Sequence, residues 1–426
     1  MELSIHIPDT SLPRVLVIGG GFGGIEFCKR LDTNKFQLVL FDKYNYHTFQ
    51  PLLYQVATAG LEPSSIAGPL RKLFEKKKNF YFRMGEALRV NPEKKCLITS
   101  LGEIRYDYLV IASGTKTSYF GHEENYRNSL PLKHLPQALD LRNTILRNFE
   151  DALLVADAQE KQKLLSIVIA GGGPTGVEVA GALSELRKHV LPKDYPELDF
   201  TQMQIYLIEG AARLLGGMSG KSSRDALEAL RKMNIHVLLD KRVLKYENDC
   251  AMLSDGTVIP CKTLVWAAGV TGSAIEGLPA DVVTRGNRFL VNEFLEINKC
   301  KNIFAIGDVA AMVSEEFPAG HPQLAPVAMQ QGDLLAGNLA RMLSKKPAKP
   351  FRYTDKGSMA TIGRNKAVVD LPGQWHFKGF LAWAMWLLVH ILQIIGFRNR
   401  LVILLNWTWN YFTYDRSIRL ILKARK

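Results

Sequence analysis

The chain has 426 residues, 47% of them hydrophobic, with 54 Lys and Arg against 41 Asp and Glu, giving a formal net charge of +13. That length suits two or three domains of ordinary size, and the apolar share argues against a disordered or fibrous chain. The five cysteines, Cys28, Cys96, Cys250, Cys261 and Cys300, are scattered and form no C-x-x-C pair, which argues against a disulfide framework, a zinc site and a thioredoxin-like couple.

Residues 1–13 carry no basic stretch followed by an apolar core, so no secretory signal is visible. Val15-Leu16-Val17-Ile18 then reads as a fully buried parallel strand running into Gly19, Gly21 and Gly24, spaced G-x-G-x-x-G. In a strand-turn-helix unit the first glycine allows the turn and the second lets the backbone approach a pyrophosphate. The third lets helix and strand pack closely, and the helix N-terminus offers free N–H groups to phosphate. The next apolar strand, 37–41, closes on Asp42, at the distance where an acid meets ribose hydroxyls. A third apolar strand, from Leu109 to Ala112, runs into Ser113-Gly114-Thr115.

The same grammar recurs downstream. Ile167–Ala170 is the strand, Gly171, Gly173 and Gly176 form the turn, the strand 204–208 ends at Glu209, and Leu264-Val265-Trp266-Ala267 runs into Ala268-Gly269-Val270. Three features in one order, twice, amount to an internal repeat and predict two dinucleotide-type ligands. With no redox-active thiol pair, a flavin in one site and a nicotinamide nucleotide in the other would let the cofactors carry the electronic chemistry.

Beyond the charged linker 344–350 the character changes. Gly379 to Phe397 gives nineteen residues without formal charge, and Leu401 to Tyr414 fourteen more. A membrane-spanning helix needs about 20 apolar residues. Here His390 and Gln393 interrupt the first run, the second is short, and Arg398 and Arg400 stand between them. The end, with Arg416, Arg419, Lys423, Arg425 and Lys426 around Ile418, Leu420, Ile421 and Leu422, reads as a basic amphipathic helix. The pattern points to a segment lying on an anionic membrane surface, with Trp383, Trp386, Trp407, Trp409 and Tyr411 at headgroup depth, and it gives the basic excess a use without a nucleic-acid partner. A dimer interface or core helices are the plain alternative.

Several stretches together carry a family likeness: Phe41 to Arg71, GGGPTGVEVAGAL, Asn302 to Ala310, Pro326 to Gly332 and Ala360 to Leu371. Over nearly its whole length the chain resembles type II NADH dehydrogenase, the single-chain NADH:quinone oxidoreductases that contain FAD and pump no protons. The resemblance implies an α/β fold of two Rossmann-like dinucleotide-binding domains, the NADH domain inserted in the FAD domain, plus a C-terminal membrane-associating helical region. The expected bounds are 12–119 and 272–345 for FAD, 120–271 for NADH, and 346–426 for the membrane region. It implies hydride transfer from NADH to FAD and passage of two electrons to a membrane quinone, menaquinone or ubiquinone, on the cytoplasmic face of the inner (plasma) membrane, with a homodimer left open. Rival readings are a flavoprotein with another acceptor and a nucleotide-binding sensor without turnover.

Carried over residue by residue, the resemblance gives FAD to Gly19, Gly21, Phe22, Gly23, Gly24, Asp42, Lys43, Ala112, Gly114, Gly307 and Asp308. It gives NADH to Gly171, Gly173, Gly176, Glu209 and Gly269. Asp308 has a plain alternative as the N-cap of a following helix. A carboxylate at Glu209 would repel a 2′-phosphate and favour NADH over NADPH, while nearby Arg213 could soften that preference. Two residues are implied in the chemistry, Glu178 as an aid to quinone protonation and Gln330 as a quinone contact. Against Glu178 stands the repeat itself, since Glu26 occupies the matching place and an acid in a helix's first turns is favoured by the dipole alone. Against a full quinone motif stands Pro326, where the family commonly has glutamine.

Overall fold

The structure, a computed structural model, describes residues 5–122, 125–414 and 418–422. It divides into two units. The first comprises residues 1–47, 68–116 and 270–355, and the second 48–67, 117–269 and 356–426.

The first unit is built on a five-stranded parallel sheet in the order Ile303–Ala305, Tyr108–Ile111, Arg14–Ile18, Gln37–Asp42, Phe80–Met84. Its strands are near-continuous apolar runs because both faces are covered, and Val15, Leu16 and Val17 are wholly buried. In register, Val15 lies beside Leu38 on one side and Tyr108 on the other, so the turn after Ile18 opens at the carboxyl edge of the sheet. Helix Phe22–Arg30 follows that turn and packs on helix Ala325–Leu343.

The second unit repeats this arrangement. Its parallel sheet runs Leu130–Pro131, Thr263–Trp266, Ser166–Ala170, Gln204–Ile208, His236–Leu238. In each sheet the glycine-turn strand is central, flanked by the acid-bearing strand and by the third apolar strand of the motif. One further correspondence was not legible in the motifs: an antiparallel three-stranded meander precedes the third strand both times, 87–105 in one unit and 243–260 in the other.

The units depart from the sequence expectation in two places. Residues 48–67 belong to the second unit, because helix Leu53–Ala57 packs on helices Leu135–Leu154 and Pro174–His189. The C-terminal segment is no separate body either. Its hairpin of Ser358–Gly363, Lys366–Leu371 and Trp375–Lys378 lies against helix Pro174–His189. That approach is so close that a Cβ on Gly181 would fall 1.8 Å from the Ile362 carbonyl oxygen.

Helices Gly379–Gln393 and Phe397–Thr413 complete this unit, and among the described residues no helix is long and apolar enough to cross a membrane. The expected terminal amphipathic helix is not formed where it can be seen. Residues 418–422 are irregular, because Arg419 is drawn to Asp194 and the Leu422 N–H donates to Asn143 Oδ1 at 3.2 Å. The rest of that expectation, at 415–417 and 423–426, lies outside the described residues. The headgroup placement of Trp386 is also corrected: it is 1% exposed, stacked on His390 with ring centroids 4.0 Å apart.

Candidate functional site

Each glycine turn is locked by the same device. Gly19 and Gly171 adopt φ of +105° and +108°, which a side chain would strain, and a Cβ on either would meet the neighbouring strand's backbone at 2.3 or 2.4 Å. The acid ending the next strand then holds the following peptide. Asp42 accepts from the Gly20 N–H at 2.6 Å and the Tyr44 N–H at 2.7 Å, and Glu209 accepts from the Gly172 N–H at 2.5 Å and the Ala211 N–H at 2.7 Å. Burial pulls the Asp42 carboxyl above its ordinary range, and the two N–H groups pull it back. Each carboxylate keeps lone pairs for a ribose.

The other side of each turn peptide is held differently. In the second unit the Leu215 backbone N–H donates to the Gly172 oxygen at 2.8 Å. In the first, His47 Nδ1 lies 2.9 Å from the Gly20 oxygen. A carbonyl only accepts, so Nδ1 carries the proton and Nε2 presents a bare lone pair, buried and without a partner. Burial also pushes the His47 imidazole down to about 4, keeping it neutral. Residue spacing gave no sign of His47, although it lies inside the stretch that carried the family likeness.

The residues present fit a dinucleotide. Helices Phe22–Arg30 and Pro174–His189 start at Gly21 and Gly173 with no side-chain cap, and nothing lies within 4 Å of where a Cβ on either glycine would stand. Uncapped N–H groups facing open space suit a pyrophosphate. The other positions expected at FAD divide. Gly114 is open at φ +66°, and the Ala112 carbonyl abuts Gly19. Phe22 packs edge-on against His47, at 5.1 Å between centroids. Gly23 is accounted for by helix packing, since its Cβ would lie 3.1 Å from the Ala328 oxygen. Lys43 is on the surface, 3.6 Å from Glu86.

Asp308 lies within the 3₁₀ turn Gly307–Val309, whose N-cap is Ile306, so it caps no α-helix. Thr115 Oγ1 donates to it at 3.4 Å, and the Gly307 N–H donates to Gln331 Oε1 at 2.6 Å. Gln331, unremarked in the sequence, is thus the residue that fixes this turn. Its neighbour Gln330 is tethered to the chain itself: its amide donates to the Thr354 oxygen and accepts from the Thr354 N–H, both at 2.9 Å. One N–H and one lone pair remain for a ligand. In the second unit, Gly269 is covered by the Phe120 ring, 2.7 Å from where its Cβ would stand, and Arg213 is exposed, its guanidinium donating to the Gly216 oxygen at 2.7 Å.

The second unit also carries a cavity of about 600 Å³ open on one side, walled by Tyr54, Thr361, Trp386, Leu404 and Trp407 among others, with Glu178 projecting into it. Its shape is fixed by the Trp407 indole donating to Gln55 Oε1 at 2.8 Å and by His390 Nδ1 donating to the Trp386 oxygen at 2.7 Å. Glu178 is 8% exposed, and burial pushes its carboxyl up to about 8, so it holds a proton at neutral pH. The Thr361 N–H, 3.5 Å from Oε1, and the Trp386 indole pull weakly the other way. Glu26, its counterpart in the repeat, is part-buried, its side chain 14% exposed, but its charge is paired with Arg30 at 2.9 Å. The helix dipole explains Glu26 but offers no reason to bury Glu178. All five cysteines are free, and burial raises the Cys28 thiol far above its ordinary value, consistent with an inert packing role in helix Phe22–Arg30.

The model of the pyridine nucleotide-disulphide oxidoreductases matches residues 13–332, and that of the NDH2 C-terminal domain matches 356–414. The chain is 34% identical to the type II NADH:quinone oxidoreductase Ndh of Mycobacterium tuberculosis over 95% of its own length and 89% of that protein's. The chain belongs to the type II NADH:quinone oxidoreductases. A Haemophilus influenzae member is 29% identical over 85% of this chain and 88% of its own. Among solved structures, NDH2 from Plasmodium falciparum superposes with a TM-score of 0.87, at 22% identity, over 97% of this chain and 100% of that one. The sulfide:quinone oxidoreductase of Aquifex aeolicus shares the fold at a TM-score of 0.71, with 21% identity over 97% and 93% of the two chains. As a type II NADH:quinone oxidoreductase the chain is an enzyme with NADH as reductant, a quinone as oxidant and FAD as cofactor. A sensor without turnover and a reductase with another acceptor both give way to that membership.

Proposed function

We propose that the cavity of the second unit takes the quinone head and that Glu178 gives it a proton. The observation that carries this is a neutral, buried carboxyl at the apolar end of a mostly apolar cavity of about 600 Å³, large enough for a drug-sized ring. FAD, when bound, supplies the two-electron relay between NADH and quinone. In the first unit Gly19 and Gly21 cradle its pyrophosphate, Gly24 lets the helix close on the turn, Asp42 turns its free lone pairs to the ribose, and His47 and Asp42 hold the Gly20 peptide still from opposite sides. In the second unit Gly171, Gly173 and Gly176 do the same for NADH, and Glu209 excludes a 2′-phosphate by charge.

The tail of helices 379–393 and 397–413 attaches this unit to a membrane. Phe380, Leu388, Leu392, Phe397, Leu405, Trp409 and Phe412 are each more than half exposed, and Arg398 and Arg400 are exposed beside them. A ridge of this composition lies in an interface and favours the anionic cytoplasmic leaflet. Co-sedimentation with phosphatidylglycerol vesicles should be strong at low salt and weaker on phosphatidylcholine. Self-association without vesicle binding would instead make the ridge a contact between two copies of the chain.

The cavity assignment is tested by Ala182→Phe, which fills the space beside Glu178. Reduction of the flavin by NADH should keep its rate while the KM for a short-chain quinone rises. An unchanged KM would sink the assignment.

A further inference from the structure

Helix Pro174–His189 carries titratable side chains at 178, 185 and 189. Spacings of seven and four keep them on one face of an α-helix. Glu178 and Glu185 both line the cavity and are the only carboxyls among its lining residues. The hairpin opposite engages both: the Thr361 N–H points at Glu178 Oε1 from 3.5 Å, and the Arg364 N–H donates to Glu185 Oε1. The two ends of the cavity differ in character. Glu178 sits against the buried Trp386, whereas Glu185 is half-buried and is faced by polar groups, the His189 imidazole from its own helix and Arg364 from the adjoining turn. His189 stacks on Tyr414 with centroids 4.2 Å apart, and the Arg364 guanidinium lies 3.4 Å over the same ring.

A carboxyl in an apolar cavity can give its proton once and must then be refilled. Seven residues of helix place Glu185 about 10 Å along the axis from Glu178, a distance that two or three hydrogen-bonded waters span. We propose that Glu185 is the proton carrier that refills Glu178, passing protons from the polar mouth of the cavity to its inner end. Reduction of the quinone to a quinol takes two electrons, which the flavin route delivers, and two protons. One of those protons leaves the Glu178 carboxyl as a quinone oxygen takes it up. The carboxylate left behind regains a proton from the Glu185 carboxyl through the intervening water, and Glu185 regains its own from solvent. This rests on the reading of Glu178 as proton donor.

The test is anaerobic stopped-flow on the FAD-loaded, NADH-reduced protein, mixed with a short-chain quinone in H₂O and in D₂O. Glu185→Gln keeps an oxygen for the Arg364 N–H but carries no proton. It should leave flavin reduction by NADH unchanged, slow reoxidation by at least about tenfold, enlarge the solvent isotope effect, and recover when formate is added or when the variant is Glu185→Asp. Wild-type reoxidation in Glu185→Gln alongside slow reoxidation in Glu178→Gln would overturn the relay and leave Glu178 as donor. Wild-type reoxidation in both would overturn the donor reading and the relay with it. Slow reoxidation with an unchanged isotope effect and no recovery would mark Glu185 as structural and overturn the relay.

Discussion

The two helices that follow the glycine turns began as one pattern and ended with different work. Counting from Gly19 and Gly171, position seven is Glu26 in one and Glu178 in the other, and position ten is Lys29 in one and Gly181 in the other. The first helix packs on helix Ala325–Leu343, leaving Glu26 part-buried and paired with Arg30, and Lys29 exposed. The second receives the C-terminal hairpin across that same face, which buries Glu178 and leaves no room for a side chain at 181. An internal repeat therefore fixes where a side chain points, while the neighbour decides whether it meets an ion-pair partner or a mostly apolar wall.

Gly181→Val should break this contrast most severely. A Cβ 1.8 Å from a carbonyl oxygen cannot be accommodated without moving the hairpin, at a cost of about 4 kcal/mol, seen as lost thermal stability and lost quinone turnover together. Lys29→Val, at the matching exposed position, should leave both unchanged.

The next effect is a pH dependence of stability. A carboxyl whose folded value is raised to about 8 keeps its proton while the unfolded chain ionises, so it costs stability progressively from its ordinary value near 4.5 up to about 8. Glu178→Gln should relieve on the order of 2 kcal/mol at pH 8.5 and little at pH 4.5, measured by denaturant unfolding. His47 leans the other way. Its folded value near 4 lies below the ordinary 6.5, so its contribution is present above 6.5 and lost as pH falls toward 4. His47→Ala should also loosen the first glycine turn and weaken FAD retention by about tenfold, as read by flavin release, because a hydrogen bond to a buried peptide is worth about 1 kcal/mol or more. NADH affinity should not follow, since the second turn uses a backbone N–H at that place. Smallest of all, Glu26→Gln weakens one part-exposed ion pair while Arg30 keeps Asp333 at 3.0 Å, so it should change neither half-reaction nor the melting temperature.

The repeat was legible because buried parallel strands and glycine turns write their geometry into residue type, and both sheets have the strand order those motifs imply. The meanders escaped notice because short half-exposed strands such as Gly102–Arg105 and Val258–Pro260 carry little periodic signal. Glu178 could be singled out but not decided from sequence, since its burial comes from residues 361 and 386, about two hundred positions away. His47 and Gln331 were missed for the same reason: each grips a backbone atom whose partner no local spacing reveals. The terminal segment misled because its alternating basic and apolar residues fit a helix, while Arg419 and Leu422 instead take partners on distant helices.

The most direct measurement is anaerobic stopped-flow absorbance at the flavin band for wild type and Glu178→Gln, mixed first with NADH and then with a short-chain quinone. Bleaching by NADH at the wild-type rate followed by reoxidation slowed at least about 100-fold in Glu178→Gln is the expected result for a buried proton donor in the quinone cavity. Reoxidation of Glu178→Gln at the wild-type rate, or an equal loss in both half-reactions, would contradict it.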